Sequence, residues 1–388
     1  MATPKQSSKN EFTSHGCVTL NNSTWKNRSV LVTGHTGFKG GWLSLWLKKK
    51  CARVHGLAME PKTESSFYNT CGVENFIESS VIGDICKEGT ADSIIQDTEP
   101  EVVFHLAAQP LVRESYQKPV ETFNTNVMGT VRLLEAIRKS PSVKAVIVVT
   151  TDKCYKNHEW AWSYRENDQL GGHDPYSASK AAAEIVTSAY CDSFFADSGI
   201  SVATARAGNV IGGGDFSKDR LIPDFLRALD RQETLVLRSP KATRPWQHVL
   251  EPLHGYLILA ERMFSGNLEL KKDTTNAWNF GPGEADTRSV EWVVEQLCSK
   301  IPGAQWHVAN TKEPHEATML QLDSGKARQE LGWRTYWPLK EALNRTIEWH
   351  QSWREKLDMQ AVSIQQIHEY ESLISGSADL VNKLSDVA

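Results

Sequence analysis

The sequence predicts an α/β fold in which a doubly wound parallel sheet is joined to a smaller mixed α/β region. Two observations lead to this fold class. Short, almost fully apolar runs alternate with segments of helical periodicity as far as Arg206, a pattern typical of a parallel sheet covered by helices on both faces. Beyond Arg206, the glycines at 212–214 and a series of prolines interrupt the periodicity. We therefore expect the last third of the chain to mix short strands and helices.

The elements of the sheet region follow from the apolar pattern in chain order. The predicted strands cover residues 30–33, 54–59, 81–84, 102–106, 145–150 and 202–206. Helical spacing of apolar residues predicts a helix after the first strand and further helices at 122–139, 175–195 and 339–353. Asp174 is the predicted N-cap of the helix that begins at Pro175, since both residue types are favoured at those positions.

The same pattern divides the chain into regions. Residues 1–24, rich in Ser, Thr, Asn and Lys, are expected to form a flexible extension. Residues 25–206, with returning segments near 247–281, are expected to form a dinucleotide-binding Rossmann-type domain. Residues 207–246 and 282–354 are assigned to a substrate-binding domain. The remaining residues, 355–388, are expected to be a tail of weak helical character.

Composition limits the function classes. The 388 residues carry a formal net charge of −4, which argues against a general nucleic-acid-binding protein. The seven cysteines occur singly, without a C-x-x-C pair, so no metal site is predicted and a reducing compartment is expected. Residues 1–27 lack the apolar run typical of a signal peptide, and no run approaches the ~20 apolar residues of a membrane span. We expect a cytoplasmic protein without a nucleic-acid or membrane partner.

Gly34, Gly37 and Gly40 form a G-x-x-G-x-x-G loop between the first predicted strand and the next helix. Such glycines permit a tight turn, close approach of the backbone to a pyrophosphate, and close packing of helix on strand. The helix N-terminus that follows attracts phosphate. The alternative is a plain glycine-rich turn, but the position after a strand favours a dinucleotide site that includes Thr36 and Phe38.

Two acidic residues bear on the dinucleotide. Asp84 ends the third predicted strand and is expected to accept a hydrogen bond from the adenine amino group, although an ordinary strand-terminal Asp is the alternative. Glu60 lies further from Gly34 than the ~20 positions usual for the acid that binds the ribose. The sequence therefore favours NAD over NADP without an acid at the usual ribose-binding position.

Tyr176 and Lys180 lie four residues apart and share one helical face. Oxidation of an alcohol needs a base for the hydroxyl proton, and an unperturbed tyrosine has a pKa of ~10. A neighbouring ammonium group and a positively charged nicotinamide are expected to lower that pKa. The alternative is an exposed Tyr–Lys pair, but the pair follows the fifth predicted strand, where ligands of such sheets bind.

Several ordered motifs between about Trp25 and Trp349 resemble the extended short-chain dehydrogenases/reductases that act on nucleotide sugars. They comprise the glycine loop, Asp84-Ile85, the His105–Ala108 segment, Asn126 with Gly129-Thr130, and Tyr176 to Lys180. The resemblance implies that Thr151 helps the tyrosine to bind the reacting hydroxyl. It also implies cofactor contacts by a set of residues in these motifs, namely Ile85, Leu106, Ala107, Ala108 and Asn126.

Thr151 is followed by Asp152 and Lys153, which resembles the nucleotide-sugar 4,6-dehydratases, where Thr-Asp-Glu is the common form. The resemblance is closer to the branch that acts on CDP-glucose, on the segments 34–43, 151–155, 206–215 and 244–249. It implies that Tyr176, Thr151 and Lys180 oxidise the C4 hydroxyl as hydride passes to NAD. The C5 proton is then removed, and water leaves from C6 with Asp152 as the proton donor. Hydride returns to C6, and Tyr176 or solvent supplies the proton at C5.

Lys153 departs from the common dehydratase form. It is expected either to take the C5 proton as a neutral base or to stabilise the enolate as a cation, and a surface ion pair with Asp152 is the alternative without function.

Another NDP-glucose dehydratase or a UDP-sugar 4-epimerase is the competing enzyme hypothesis for the whole chain. A regulatory NAD-binding protein is the competing hypothesis without catalysis.

The nucleotide-sugar substrate needs cationic partners for its diphosphate. Arg244, in a proline-rich segment, is the first choice, since arginine binds phosphate in a bidentate manner. The resemblance adds Asn209 and Arg220. His315 is expected to contact the nucleoside, with a solvated charged turn as the alternative, and Gln109 is expected to contact the sugar. It also implies a homodimer, or a dimer of dimers, that packs through the helices at 122–139 and 175–195. The small residues of these helices would equally suit packing within one chain.

Overall fold

A computed structural model describes residue 20 and residues 22–268, 276–309 and 318–385 of the chain. At its centre, seven strands form a parallel sheet. In the described ranges, the strands of this sheet and of three smaller two-stranded sheets are, in chain order, β1 (Ser29–Thr33), β2 (Arg53–Ala58), β3 (Ser79–Ile82), β4 (Val102–His105), β5 (Ala145–Val149), β6 (Ser201–Arg206), β7 (Val210–Ile211), β8 (Leu235–Leu237), β9 (Thr243–Pro245), β10 (Gln247–His248), β11 (Ala277–Asn279), β12 (Thr287–Ser289) and β13 (Trp306–Val308).

Helices cover both faces of the sheet and build the region beyond it. They are α1 (Asn22–Trp25), α2 (Phe38–Lys49), α3 (Phe67–Thr70), α4 (Thr90–Thr98), α5 (Val112–Gln117), α6 (Pro119–Phe123), α7 (Gly129–Arg138), α8 (Pro175–Tyr190), α9 (Leu221–Asp230), α10 (Leu250–Phe264), α11 (Val290–Lys300), α12 (Gly325–Leu331), α13 (Leu339–Arg354) and α14 (Met359–Ser385). Short 3₁₀ turns lie at Val73–Asn75, Asp152–Cys154 and Glu284–Asp286, and π-helical turns at Asn124–Met128 and Cys191–Phe195.

The order of the central strands is β11-β6-β5-β4-β1-β2-β3. The chain winds outward from β1 to β3, returns to β4 on the other side of β1, and winds outward again. The carboxyl ends of β1 and β4 therefore flank the point at which the winding direction changes, where ligands of such sheets bind. The predicted α/β fold class with a parallel, doubly wound sheet is confirmed.

Three predicted elements need correction. The third strand ends at Ile82, so Asp84 lies in the following loop rather than in the strand. The predicted helix at 122–139 is interrupted by the π-helical turn at Asn124–Met128, and the helix at 175–195 ends in a second such turn. A π turn adds a residue without removing the apolar stripe, so periodicity alone does not show it. The sheet also gains β11 from the region beyond Arg206.

The segment predicted as a C-terminal tail forms α14 and packs into the main core. Tyr370 is fully buried, and its hydroxyl donates to Glu251 Oε2 at 2.6 Å. Glu371 accepts a hydrogen bond from Trp46 Nε1 at 2.8 Å and pairs with Lys50 at 2.8 Å. Helix α14 thus stabilises α2, the helix that follows the glycine loop.

The predicted domain limits stay a prediction. Residues 1–19 and 21, which make up most of the predicted extension, lie outside the described residues. Within the described ranges, no helix has both the length and the apolar character needed to cross a bilayer.

Candidate active site

A cavity of about 1840 Å³ opens at the carboxyl ends of β1, β4 and β5 and extends under the segments that follow β6. It brings together most of the predicted site residues. Those on its wall are Gly34, Thr36, Gly37, Phe38, Gly40, Asp84, Ile85, Leu106, Ala107, Ala108, Thr151, Asp152, Lys153, Tyr176, Lys180, Asn209, Arg220 and Arg244. His315 lies outside the described residues, so its predicted nucleoside contact stays a prediction.

The glycine loop fits a dinucleotide diphosphate. Gly34 has a φ of +80°, and a Cβ there would lie 2.8 Å from the backbone nitrogen of Ala107. A Cβ on Gly40 would lie 2.1 Å from the carbonyl oxygen of Gly34. Gly37 is the N-cap of α2 and brings no side chain to its first turn. The N–H groups of that turn therefore face the cavity edge in the arrangement that binds phosphate.

The loops around the predicted adenosine end are held by local hydrogen bonds. Thr36 Oγ1 donates to the carbonyl of Met59 at 2.8 Å, which fixes the glycine loop to the end of β2. Asp84 Oδ1 accepts from the backbone nitrogen of Cys86 at 2.8 Å. Asp84 is exposed at the cavity wall, and its predicted contact with adenine stays a prediction.

Asn126 and Gln109 are not among the residues that line the cavity, and their predicted cofactor and substrate contacts stay predictions. Asn126 is buried, accepts from the backbone nitrogen of Gln109 at 2.8 Å, and donates to Ser179 Oγ at 2.8 Å. The Gln109 amide nitrogen donates to Thr122 Oγ1 at 2.9 Å and to the carbonyl of Leu111. Both amides therefore brace the backbone after β4, because their polar atoms are already used inside the protein.

Helix α8 presents Tyr176 and Lys180 to the cavity. Its N-cap is Asp174, as predicted, and Asp174 Oδ1 accepts from the backbone nitrogen of Ser177 at 2.9 Å. Lys180 Nζ donates to the carbonyl of Val149 at 3.1 Å. Burial lowers the pKa of Lys180 to about 8, against the opposing effect of the Glu184 carboxylate.

The pKa of Tyr176 departs from the sequence-based expectation. Burial raises the pKa of Tyr176 to about 12, whereas a hydrogen bond with Thr151 and the charge of Arg220 act in the lowering direction. The expectation of a lowered value counted the ammonium of Lys180 and a positively charged nicotinamide, but not the loss of hydration; in the protein alone, desolvation is the larger effect.

Thr151, Asp152 and Lys153 form the turn that follows β5. Thr151 Oγ1 donates to Asp152 Oδ1 at 3.0 Å, and Lys153 Nζ lies 3.7 Å from the same oxygen. Asp152 is fully buried, and its Oδ2 has no hydrogen-bond partner in the part of the chain that the structure describes. That oxygen lies against Gly208, where a Cβ would stand only 2.0 Å from it. The turn thus holds a carboxyl and an ammonium group beside the tyrosine.

Cationic groups form the wall on the side of the smaller region. Arg220 pairs with Asp215 at 3.1 Å, and Arg244, on β9, donates to the carbonyl of Thr243 at 2.9 Å. Asn209 has a φ of +30°, and its buried Oδ1 has no hydrogen-bond partner among the residues described. Backbone strain of this kind persists where the surrounding structure imposes it, often at ligand sites.

Four charged residues on the cavity wall have no role in the sequence-based prediction, namely Lys39, Arg113, Asp219 and Arg238. Asp219, with a φ of +59°, pairs with Arg113 at 3.2 Å and with Arg238 at 3.0 Å. Lys39 lies inside the glycine loop and also lines the cavity. Only Lys39 stood in a motif that the sequence marked, and its charge was the signal that could have singled it out.

A family model described as GDP-mannose 4,6 dehydratase matches residues 31–346, with the glycine loop and the Thr151 and Tyr176 segments inside the match. The chain belongs to the GDP-mannose 4,6 dehydratase family. A member named CDP-glucose 4,6-dehydratase, from Salmonella typhimurium (strain LT2), is 45% identical over 359 residues, which cover 91% of this chain and 99% of that protein. A dTDP-glucose 4,6-dehydratase from Xanthomonas campestris pv. campestris is 26% identical over 355 residues, 85% of this chain and 95% of that protein.

Solved structures related to the family show the same fold. DesIV, a dTDP-glucose 4,6-dehydratase from Streptomyces venezuelae solved with NAD and TYD, has a TM-score of 0.72 at 24% identity and covers 85% of this chain and 99% of its own. A UDP-glucose 4-epimerase from Thermotoga maritima has a TM-score of 0.71 at 21% identity, with 84% and 99% covered. Since a dehydratase and an epimerase share the fold, the reaction must be argued from the site.

Proposed function

We propose that the protein is an NAD-dependent hydro-lyase that converts CDP-glucose to CDP-4-keto-6-deoxyglucose and water. The observation that carries the proposal is the Thr151-Asp152-Lys153 turn, which holds a buried carboxyl group beside Tyr176 in one cavity. An enzyme that only moves hydride has no use for a second acid and base there. The relative that is 45% identical over 91% of the chain and is named CDP-glucose 4,6-dehydratase supports the choice of substrate.

The residues present fit the dinucleotide. The uncapped first turn of α2 would hold the pyrophosphate, Asp84 would face the adenine, and Lys180 would reach the ribose next to the nicotinamide. When bound, NAD would accept hydride from C4 of the sugar and return it to C6. Because net redox change is zero, the reaction needs no added reductant.

In the first step, Tyr176 removes the proton of the C4 hydroxyl. Thr151 holds the tyrosine hydroxyl by a hydrogen bond, and Lys180 supplies a positive charge from the next turn of α8. Tyr176 can accept this proton only as the phenolate, so its pKa, which burial raises in the protein alone, must fall when the ligands bind. Positive charge brought in with the dinucleotide would favour the phenolate.

In the second step, the Asp152–Lys153 pair moves both protons of the elimination. The C4 ketone acidifies C5, Lys153 takes the C5 proton, and Asp152 gives a proton to the C6 oxygen, which leaves as water. The pair passes from neutral to ionised, which matches the 3.7 Å contact between Lys153 Nζ and Asp152 Oδ1.

Arg244, Arg220 and Asn209 would hold the substrate diphosphate. All three lie on the cavity wall, and arginine stays charged at every working pH. Two diphosphates would thus bind in one cavity, one at each side of the turn that carries Asp152.

Product mass tests the proposal. The purified chain is incubated separately with CDP-, dTDP-, UDP- and GDP-glucose without added reductant. Loss of one water from CDP-glucose alone is expected. Loss from another nucleotide sugar would correct the substrate, and conversion without a change of mass would replace the dehydratase with an epimerase. In Asp152→Asn, the C4 ketone and reduced cofactor should accumulate without loss of water, which separates the two steps.

We further propose a homodimer, or a dimer of such dimers, that packs through α6, α7 and α8. Apolar side chains are exposed on these elements and on the π turns next to them, namely Val120, Phe123, Met128, Ile185 and Phe194. Light scattering should give twice the chain mass or a multiple of it, and Ile185→Glu should reduce it. We also propose a cytoplasmic location. The product, a deoxysugar nucleotide, would serve as a precursor of cell-surface polysaccharide such as O-antigen.

A further inference from the structure

Lys39 is a cation in the glycine loop that the reaction described above does not use. It is the second residue of α2 and lines the cavity. In the described part of the chain, Lys39 has neither a hydrogen bond nor an ion pair within 4.0 Å. Four charged side chains from other segments act on it, namely Lys180 from α8, Asp152 from the turn after β5, and Asp215 and Arg220 from the loop before α9.

Within the described ranges, the acidic neighbours of Lys39 already contact other groups, Asp152 through its Oδ1 only. Asp215 pairs with Arg220 at 3.1 Å and accepts from the backbone nitrogen of Ser217 at 3.0 Å. Asp152 accepts from Thr151 and lies 3.7 Å from Lys153 Nζ. Lys39 and the four charged groups that act on it comprise three cations and two carboxylates. A half-buried cluster with a surplus cation is costly unless an anion completes it.

We propose that Lys39 binds a diphosphate oxygen of the ligands in this cavity and takes up a proton as that diphosphate binds. The ligand class rests on the proposed function, since two diphosphates, of the dinucleotide and of the nucleotide sugar, would meet on either side of this cluster. Lys39 stands in the glycine loop and is close enough to Arg220 for the two charges to interact, so its ammonium group can serve either diphosphate.

Protonation gives the proposal a distinct signature. Burial, with the charges of Arg220 and Lys180, lowers the pKa of Lys39 to about 7, while Asp152 and Asp215 act in the raising direction. A diphosphate beside the amine would raise that pKa, because an opposite charge favours the charged form. The affinity for the diphosphate should therefore fall as pH rises above about 7, by up to about tenfold per pH unit.

Titration calorimetry of the full chain tests this, at pH 8 and in two phosphate-free buffers with different ionisation enthalpies. One arm titrates NAD, and the other titrates CDP into protein saturated with NAD. The expected result is uptake of up to one proton in the arm whose diphosphate contacts Lys39, and the responding arm identifies the source. Lys39→Met should abolish that uptake and weaken binding roughly ten- to hundred-fold. Lys39→Arg should bind without proton uptake, since arginine stays charged.

Lys62→Met is the matched control, because Lys62 also lines the cavity but is exposed and pairs with Glu114 at 2.9 Å. It should leave the proton uptake unchanged. Uptake in wild type that persists in Lys39→Met would overturn the proposal, as would no uptake in either arm. If Lys39→Met does not fold, Lys39→Arg still decides, since a wild-type pH profile of affinity in that variant would also overturn it. Turnover of CDP-glucose by the wild type tests the proposed function separately.

Discussion

Gly208→Ala should disable the elimination step and leave the fold and the oxidation step intact. A Cβ at residue 208 would lie 2.0 Å from Asp152 Oδ2 and 2.4 Å from Asp152 Cγ. A Cβ essentially never lies within 3.0 Å of a non-bonded atom, so the carboxyl group must move away by at least about 1 Å. Such a move breaks the 3.0 Å hydrogen bond from Thr151. A misplacement of about 1 Å can cost about 100-fold in rate, or about 2.7 kcal/mol.

The assay for Gly208→Ala is a single turnover of CDP-glucose, with product mass and reduced cofactor followed together. Reduced cofactor should form at the wild-type rate and then persist, because water leaves about 100-fold more slowly. Gly283→Ala is the matched control, since a Cβ there meets nothing within 4 Å. Loss of water at the wild-type rate in Gly208→Ala would refute the reasoning, since it would mean that Asp152 need not keep this position.

Three further substitutions test other parts of the structure. Gly40→Ala should abolish NAD binding, measured by calorimetry, because its Cβ would lie 2.1 Å from the Gly34 carbonyl oxygen; unchanged affinity would contradict the fit of the loop. Glu184→Gln should lower the free energy of unfolding by about 3–5 kcal/mol in urea, since it leaves the buried Arg206 unpaired; a loss below 1 kcal/mol would contradict this. Tyr370→Phe should cost about 1–3 kcal/mol by the same measurement, because Glu251 loses its 2.6 Å hydrogen bond.

The sheet and the glycine loop could be predicted because their signals are local. Strands buried on both faces are apolar almost throughout, and the loop has glycines where the backbone admits no Cβ. The sequence of helix α14 also shows a helical spacing of apolar residues that indicates a packed helix rather than a tail. Ile367, Tyr370 and Ile374 recur at helical spacing, and all three are buried in the main core.

The direction in which a side chain points could not be predicted from the motif that contains it. Asn126 and Gln109 stand in the segments that surround the cavity, yet their amides form hydrogen bonds inside the protein. The Asn126 amide bonds to the backbone of Gln109, and the Gln109 amide bonds to Thr122. The contact of Asp152 with Gly208 joins segments separated by about fifty residues, so neither motif reveals it alone. The pKa of Tyr176 likewise depends on burial, which only the packed structure supplies.

Glu184 links the two segments that must meet for elimination. Its Oε1 accepts hydrogen bonds from Thr150 Oγ1, one residue before Thr151, and from Arg206 Nε at 2.9 Å, two residues before Gly208. The same helix, α8, carries Tyr176 and Lys180. Burial, which raises the pKa of Glu184, is outweighed by Arg206 and the threonine hydroxyls, so the pKa lies below its usual value. The carboxylate therefore stays ionised above the pKa of an unfolded glutamate, about 4.3, and its stabilising effect is lost as pH falls below that. The buried carboxylate of Glu184 thus fixes Tyr176, Asp152 and Gly208 relative to one another.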